Sequence, residues 1–270
     1  MRHFLYLLSF LITPSLFAQN EKQLQVEREL NEVVQEANKL FSYRIMEWWA
    51  SDLTEENKEL DKLVADYILY HDAENIYFVL LDETYEHKLG TYYLNTYEGD
   101  GNIQFDPSKG KISREEKRLY RIKNKMEQNA GKLINEKIDY KDGFSVSTVL
   151  IKQRRGYKLY LMANTSEVGV IPIGNDAVFH GNKRGRIKSW EWFHDELLPI
   201  PVSREGVRLA THKHSVNKPL LSPTEIANFR LYGMLYRMLQ MPILAIDKGV
   251  LLEYGSVDNV AHAFFPKNKP

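Results

Sequence analysis

The chain contains no cysteine. Disulfides, thiolate nucleophiles and cysteine-ligated metals are therefore excluded, and stability must come from packing. Any transition-metal site has to use histidine and carboxylate ligands. No excess of charge is present either: 36 Lys and Arg balance 36 Asp and Glu, for a formal net charge of +0 at pH 7. Without a dense Lys/Arg stripe in the sequence, that balance argues against nucleic-acid binding. A glycine-rich phosphate loop and a G-x-S-x-G nucleophile elbow are both missing, as are internal repeats and low-complexity segments. Neither a phosphate-cradling loop nor a nucleophile elbow is therefore expected.

The opening M-R-H-F-L-Y-L-L-S-F-L-I-T-P-S-L-F-A has a basic head and a short apolar run, Phe4–Ile12, broken by Pro14. The run is too short to cross a bilayer as a mature span. The pattern is that of a secretory signal peptide over residues 1–18, so an exported protein, periplasmic or secreted, with no membrane span in its mature part is expected. The whole chain is 43% hydrophobic, ample for a core.

Residues 21–50 carry Leu30, Val33, Val34, Ala37, Leu40 and Phe41 at helical spacing. A second helix with Leu60, Leu63, Val64 and Tyr67 on one stripe is predicted after Ser51, giving an antiparallel helical pair within 19–73. Asn75–Leu81 and Lys88–Tyr97 read as strands. The following G-D-G-N-I-Q-F-D-P-S-K-G reads as a loop whose spacing does not fit a calcium-binding loop. Ser113 and Glu116 form a capping-box pattern ahead of a helix bearing Leu119, Ile122, Met126 and Leu133. Strands are predicted at 144–151, 157–163, 168–173, 177–179, 186–190 and 207–210, with N-K-R-G at 182–185 as a hairpin turn. Pro223–Gln240 reads as a helix, and Ile243–Ile246 with Val250–Tyr254 as a hairpin around D-K-G. The fold class expected is α+β: an N-terminal helical pair, then a mixed β-sheet region. An α+β region over 74–156, a further unit over 157–265 and a frayed tail at 266–270 complete the division.

Chemistry concentrates in T-H-K-H-S-V-N-K-P-L-L-S-P-T-E, Thr211–Glu225. In an extended segment His212 and His214 point to one face, because side chains alternate with period two. Two imidazoles and one carboxylate suit zinc and leave a fourth position for water, whose pKa the ion lowers. S-P-T-E is equally a capping box, with Ser222 at N-cap, Pro223 at N1 and Glu225 at N3, which accounts for Ser222 and Glu225 with no metal. The histidines beside Lys213 and Lys218 then remain simply solvated. Elsewhere, His194 in W-F-H-D-E has Asp195 and Glu196 as possible orienting partners, and Asn175-Asp176 reads as a turn.

The spacing H-x-H, seven residues, Ser, two residues, acid resembles the JAMM/MPN metallopeptidase motif, over roughly residues 157–256. The resemblance implies a JAMM-like C-terminal half, with His212, His214 and Glu225 as zinc ligands and Ser222 steadying the oxyanion. A glutamate on an upstream strand would be the general base, and Glu167 is placed there by rough position. Glu225 stands where the family has Asp, Ser215 where it usually has Pro, and the stretch before His212 leaves little room for the family's helix. The function implied is an exported zinc-dependent amide hydrolase of a peptide or isopeptide. The alternative is a non-catalytic envelope protein of the same fold that binds a partner.

Overall fold

A computed structural model describes residues 2–95, 102–134, 137–138, 141–202, 221–238, 240–245 and 250–264. His212, His214 and the strand expected at 207–210 lie outside these residues, as does the tail 266–270.

The N-terminal helix α1 spans Arg2–Glu56. Its C-terminal half turns one stripe inward, with Leu30, Val34, Ala37, Leu40, Met46 and Ala50 buried. The second member of the expected helical pair is only a single turn, α2 at Lys58–Asp61. Asn57 caps it by accepting from the Leu60 N–H at 3.2 Å. The chain then enters a strand, because the Asp66–His71 stretch carries β-branched and aromatic side chains that pair with its neighbour.

The first sheet joins β1 (Asp66–His71), β2 (Asn75–Leu81), β3 (His87–Asn95), β4 (Gln104–Asp106) and β5 (Gly110–Lys111), all pairings antiparallel. Two of these strands, β4 and β5, arise from the stretch read as a loop. Helix α3 (Arg114–Ile134) starts as the capping pattern requires: the Ser113 N–H donates to Glu116 Oε2 at 2.6 Å and the Glu116 N–H to Ser113 Oγ at 3.1 Å. Its inward face is Leu119, Ile122, Met126, Ala130 and Ile134, whereas Leu133 is exposed.

The second sheet has the order β10-β9-β7-β6, from β6 (Phe144–Gln153), β7 (Gly156–Thr165), β9 (Gly174–Asn182) and β10 (Ile187–Leu197). The turn predicted at 182–185 joins β9 to β10. Period-two alternation divides the sheet's side chains between two cores. Leu159, Leu161, Ala177 and Phe179 pack with α3, and Trp190 and Trp192 join them. Tyr160, Met162 and Val178 face the other way, toward Leu40 and Tyr43 of α1 and Ala227 of the last helix.

That last helix, α4 (Pro223–Leu235), is buried nearly all round. It lies between α1, the second sheet and a three-stranded antiparallel sheet of β12 (Gln240–Ala245), β13 (Val250–Gly255) and β14 (Val260–Phe264). A short ladder of β8 (Val170–Ile171) with β11 (Ile200–Pro201) closes the same core. A helix with no solvent stripe must satisfy its polar side chains internally. Asn228 does so by donating to the carbonyls of Ala163 and Pro172 at 2.8 and 2.7 Å. Among the described residues no helix is long and apolar enough to cross a membrane.

Candidate functional site at the start of helix α4

The first turn of α4 meets the second sheet at a buried polar cluster. Asp176, His194, Ser222, Thr224 and Glu225 are all 2% exposed or less. Local backbone explains how the sheet delivers its two members. Gly174 and Asn175 both have positive φ, at 91° and 47°. A side chain at Gly174 would put its Cβ 2.1 Å from the Glu196 carbonyl oxygen, so only glycine fits. Opposite them β10 is irregular: the register shifts between Trp192 and His194 and again between His194 and Leu197. These bulges set His194 opposite Asp176 and turn its ring inward.

His194 Nδ1 lies 2.7 Å from Asp176 Oδ1. An ionised carboxylate only accepts, so this contact puts a proton on Nδ1. Asp176 Oδ2 accepts from the Thr224 hydroxyl and from Ser222 Oγ, the latter at 3.3 Å. The two hydroxyls are themselves 2.8 Å apart. On the far side of the ring, His194 Nε2 faces Glu225 Oε1 at 3.4 Å. The imidazole thus sits between two carboxylates, one at each nitrogen.

Ser222 and Glu225 also form the capping box that S-P-T-E announces. Glu225 N–H donates to Ser222 Oγ at 3.1 Å, and Ser222 N–H to Glu225 Oε2 at 2.6 Å. The cap uses one carboxylate oxygen, Oε2, and the other faces His194. The two readings of S-P-T-E are therefore compatible, since an ionised carboxylate has about four lone-pair positions.

Glu167 is not brought to this cluster, which corrects the expectation that it serves there as general base. It is exposed on the turn after β7, and its backbone N–H donates to Thr165 Oγ1 at 3.0 Å. The N–H groups of Thr165 and Gly169 donate to the hydroxyls of Tyr232 and Tyr236 at 3.2 and 2.7 Å. That turn therefore lies at the C-terminal end of α4. Tyr232 is two helical turns beyond Glu225, about 10 Å along the axis at ~1.5 Å per residue. A position guessed from strand order could not tell one end of the helix from the other.

Asp176 and His194 belong to the cluster, although the sequence reads Asn175-Asp176 first as a turn. Among the described residues, the His194 ring meets Asp176 and Glu225. The signal was G-N-D, where a glycine and an asparagine adopt the left-handed backbone just before an acid. Among the described residues, no group of three or more His, Asp and Glu side chains surrounds one point in a way that would hold a metal. Comparison of the chain with family models, curated proteins and solved structures found no match.

Proposed function

We propose that the chain is an exported, metal-dependent amide hydrolase acting on a peptide or isopeptide, with its centre at the N-terminal end of α4. One observation supports the reading: a buried imidazole faces a carboxylate at each nitrogen, next to the Ser222 and Glu225 of the H-x-H-x(7)-S-x-x-E spacing. With the proton on Nδ1, His194 Nε2 offers a lone pair, and so does Glu225 Oε1 at 3.4 Å. In a dry interior such a pair is held together by a proton shared between the two atoms or by a cation.

The donor pair fits zinc. Two ligands bonded at ~2.1 Å with tetrahedral angles stand about 3.4 Å apart. A histidine whose other nitrogen is held by a carboxylate is the usual arrangement behind a metal-bound imidazole. His194 and Glu225 would hold the ion, with one of His212 and His214, the histidines that the sequence offers, as third ligand, which leaves the fourth position for water. When bound, zinc supplies a Lewis acid and lowers the pKa of water.

The remaining roles belong to the chain. Asp176 fixes the tautomer and plane of His194. The Ser222 N–H anchors Glu225 Oε2, so that Oε1 keeps one direction. The Ser222 and Thr224 hydroxyls donate to Asp176 Oδ2, which makes Ser222 a positioning residue and not an oxyanion donor. The test is chelation followed by reconstitution. EDTA treatment should abolish cleavage of an isopeptide-linked reporter, zinc should restore it, and His194→Ala should block the restoration. Activity that survives metal removal would overturn the reading.

A second reading, a non-catalytic envelope protein that binds a partner, is favoured by the burial itself. His194 is 0% exposed and Glu225 1% exposed. Here the pair shares a proton, and the cluster only locks α4 to the sheet. Nitrogen-15 NMR of the His194 ring distinguishes the two, because Nε2 meets a proton in this reading and a metal ion in the first.

A further inference from the structure

A cleft of about 340 Å³ opens where α1, the end of β7 and the C-terminal half of α4 meet. Its lining includes Arg44, Glu47, Trp48, Asn164, Thr165 and Tyr232. It belongs to no part of the cluster at the other end of α4. We infer that this cleft is a binding site for a small neutral saccharide, a single sugar ring or one residue of a longer glycan.

The argument starts from Arg44, which is only 6% exposed. Burying a guanidinium is costly unless its donors are used. Nη1 donates to Glu47 Oε2 at 2.6 Å and to Ser147 Oγ at 2.9 Å, and Nη2 donates to Asn164 Oδ1. Among the described residues Nε has no hydrogen-bond partner. Nε is itself buried, but Nη2 has a second N–H beyond the one given to Asn164, so Arg44 keeps a charge-assisted donor in reserve beside the cleft that it lines. The Asn164 amide accepts from Arg44 through its oxygen, so its nitrogen remains a second donor.

Acceptors are present but partly committed. Glu47 receives Arg44 on Oε2 and the Tyr67 hydroxyl on Oε1, and each oxygen keeps a further lone pair. The cationic Arg44 and anionic Glu47 balance, so the wall carries no net charge to attract an ion. A ligand that both donates and accepts, without charge, matches this set, and ring hydroxyls do both. The apolar part of the wall combines Leu231 with two aromatic rings, Trp48 and Tyr232, 6.3 Å apart and tilted by 31°. Such faces accept the C–H surface of a sugar ring. The volume is at the small end of ligand pockets, which limits the occupant to about one ring.

The experiment is saturation-transfer NMR on the intact protein with glucose, galactose and N-acetylglucosamine, and with acetate as the anionic control. The expected result is transfer to at least one sugar, with a Kd of about 1 mM or tighter, and none to acetate. Arg44→Gln should weaken binding at least tenfold. Because that change also leaves Glu47 without its partner, Ser51→Tyr serves as a second variant, placed in the lining and outside the Arg44 network. It should fill the cleft and abolish transfer while the thermal midpoint stays near wild type. Transfer to acetate alone, transfer to none of the four probes, or sugar binding that survives Ser51→Tyr would each overturn the inference. None of these outcomes depends on metal at His194, so the result stands apart from the hydrolase proposal.

Discussion

The two ends of α4 treat polar side chains in opposite ways. At its N-terminal end, Asp176, His194, Ser222, Thr224 and Glu225 are buried and in contact with one another. At its C-terminal end, Tyr232 and Thr165 border an open cleft that Glu47 and Asn164 also line. In a dry cluster every group depends on its neighbours, and removing one strands the rest. In the open cleft, water can replace any single group. Mutations of similar chemistry should therefore have very different effects at the two ends.

The largest effect is expected for Asp176→Ala. It leaves His194 between a void and Glu225, and strands the hydroxyls of Ser222 and Thr224. A loss of about 3–5 kcal/mol is expected from breaking one side of a buried ionic contact, read as a large drop in the thermal midpoint. Gly174→Ala comes next, at about 1–3 kcal/mol, because an L-residue is strained at that φ and its Cβ meets the Glu196 carbonyl. Urea denaturation of the variant measures it. Ser222→Ala should cost about 1 kcal/mol for the lost cap, and more if the hydroxyl's contact with Asp176 contributes. A loss near zero would show that the cap is redundant.

The smallest effect is expected at the other end. Tyr232→Phe removes the acceptor for the Thr165 N–H at a half-open site, for about 0.5–1.5 kcal/mol. It also carries a pH signature. Burial, the largest cause, raises the Tyr232 phenol above its usual range. A pKa raised by folding means that the neutral form is favoured in the native state. Its contribution is complete below the unfolded value near 10 and is lost as pH rises through the folded value. Thermal midpoints measured from pH 9 to 12 should fall, and Tyr232→Phe should fall less steeply. An unchanged slope would contradict the burial argument.

What the sequence revealed followed from local chemistry. The α3 and α4 caps, the β6–β7 and β9–β10 hairpins and the β12–β13 pairing all rest on neighbours a few residues apart. The second helix of the N-terminal pair failed because Leu60, Val64 and Tyr67 fit a helical stripe and a turn-then-strand equally well. Tertiary pairing of Asp66–His71 with β2 decided for the strand. The candidate site was half legible. Ser222 and Glu225 are three residues apart, but Asp176 and Ser222 are 46 apart, and only sheet register with its bulges joins them. Charge shows the same limit. The sequence has no Lys/Arg stripe, yet the fold gathers Arg114, Lys117, Arg118, Arg121, Lys183 and Arg184 around one cleft of about 700 Å³.

The central proposal is that a metal ion binds between His194 and Glu225. Zinc stoichiometry of protein purified without chelator tests it most directly, with His194→Ala and Glu225→Gln measured alongside. About one zinc per chain in the wild type, falling to background in both variants, is the predicted result. A wild-type protein that is folded and free of metal, and stays free of it after incubation with zinc, would contradict the account.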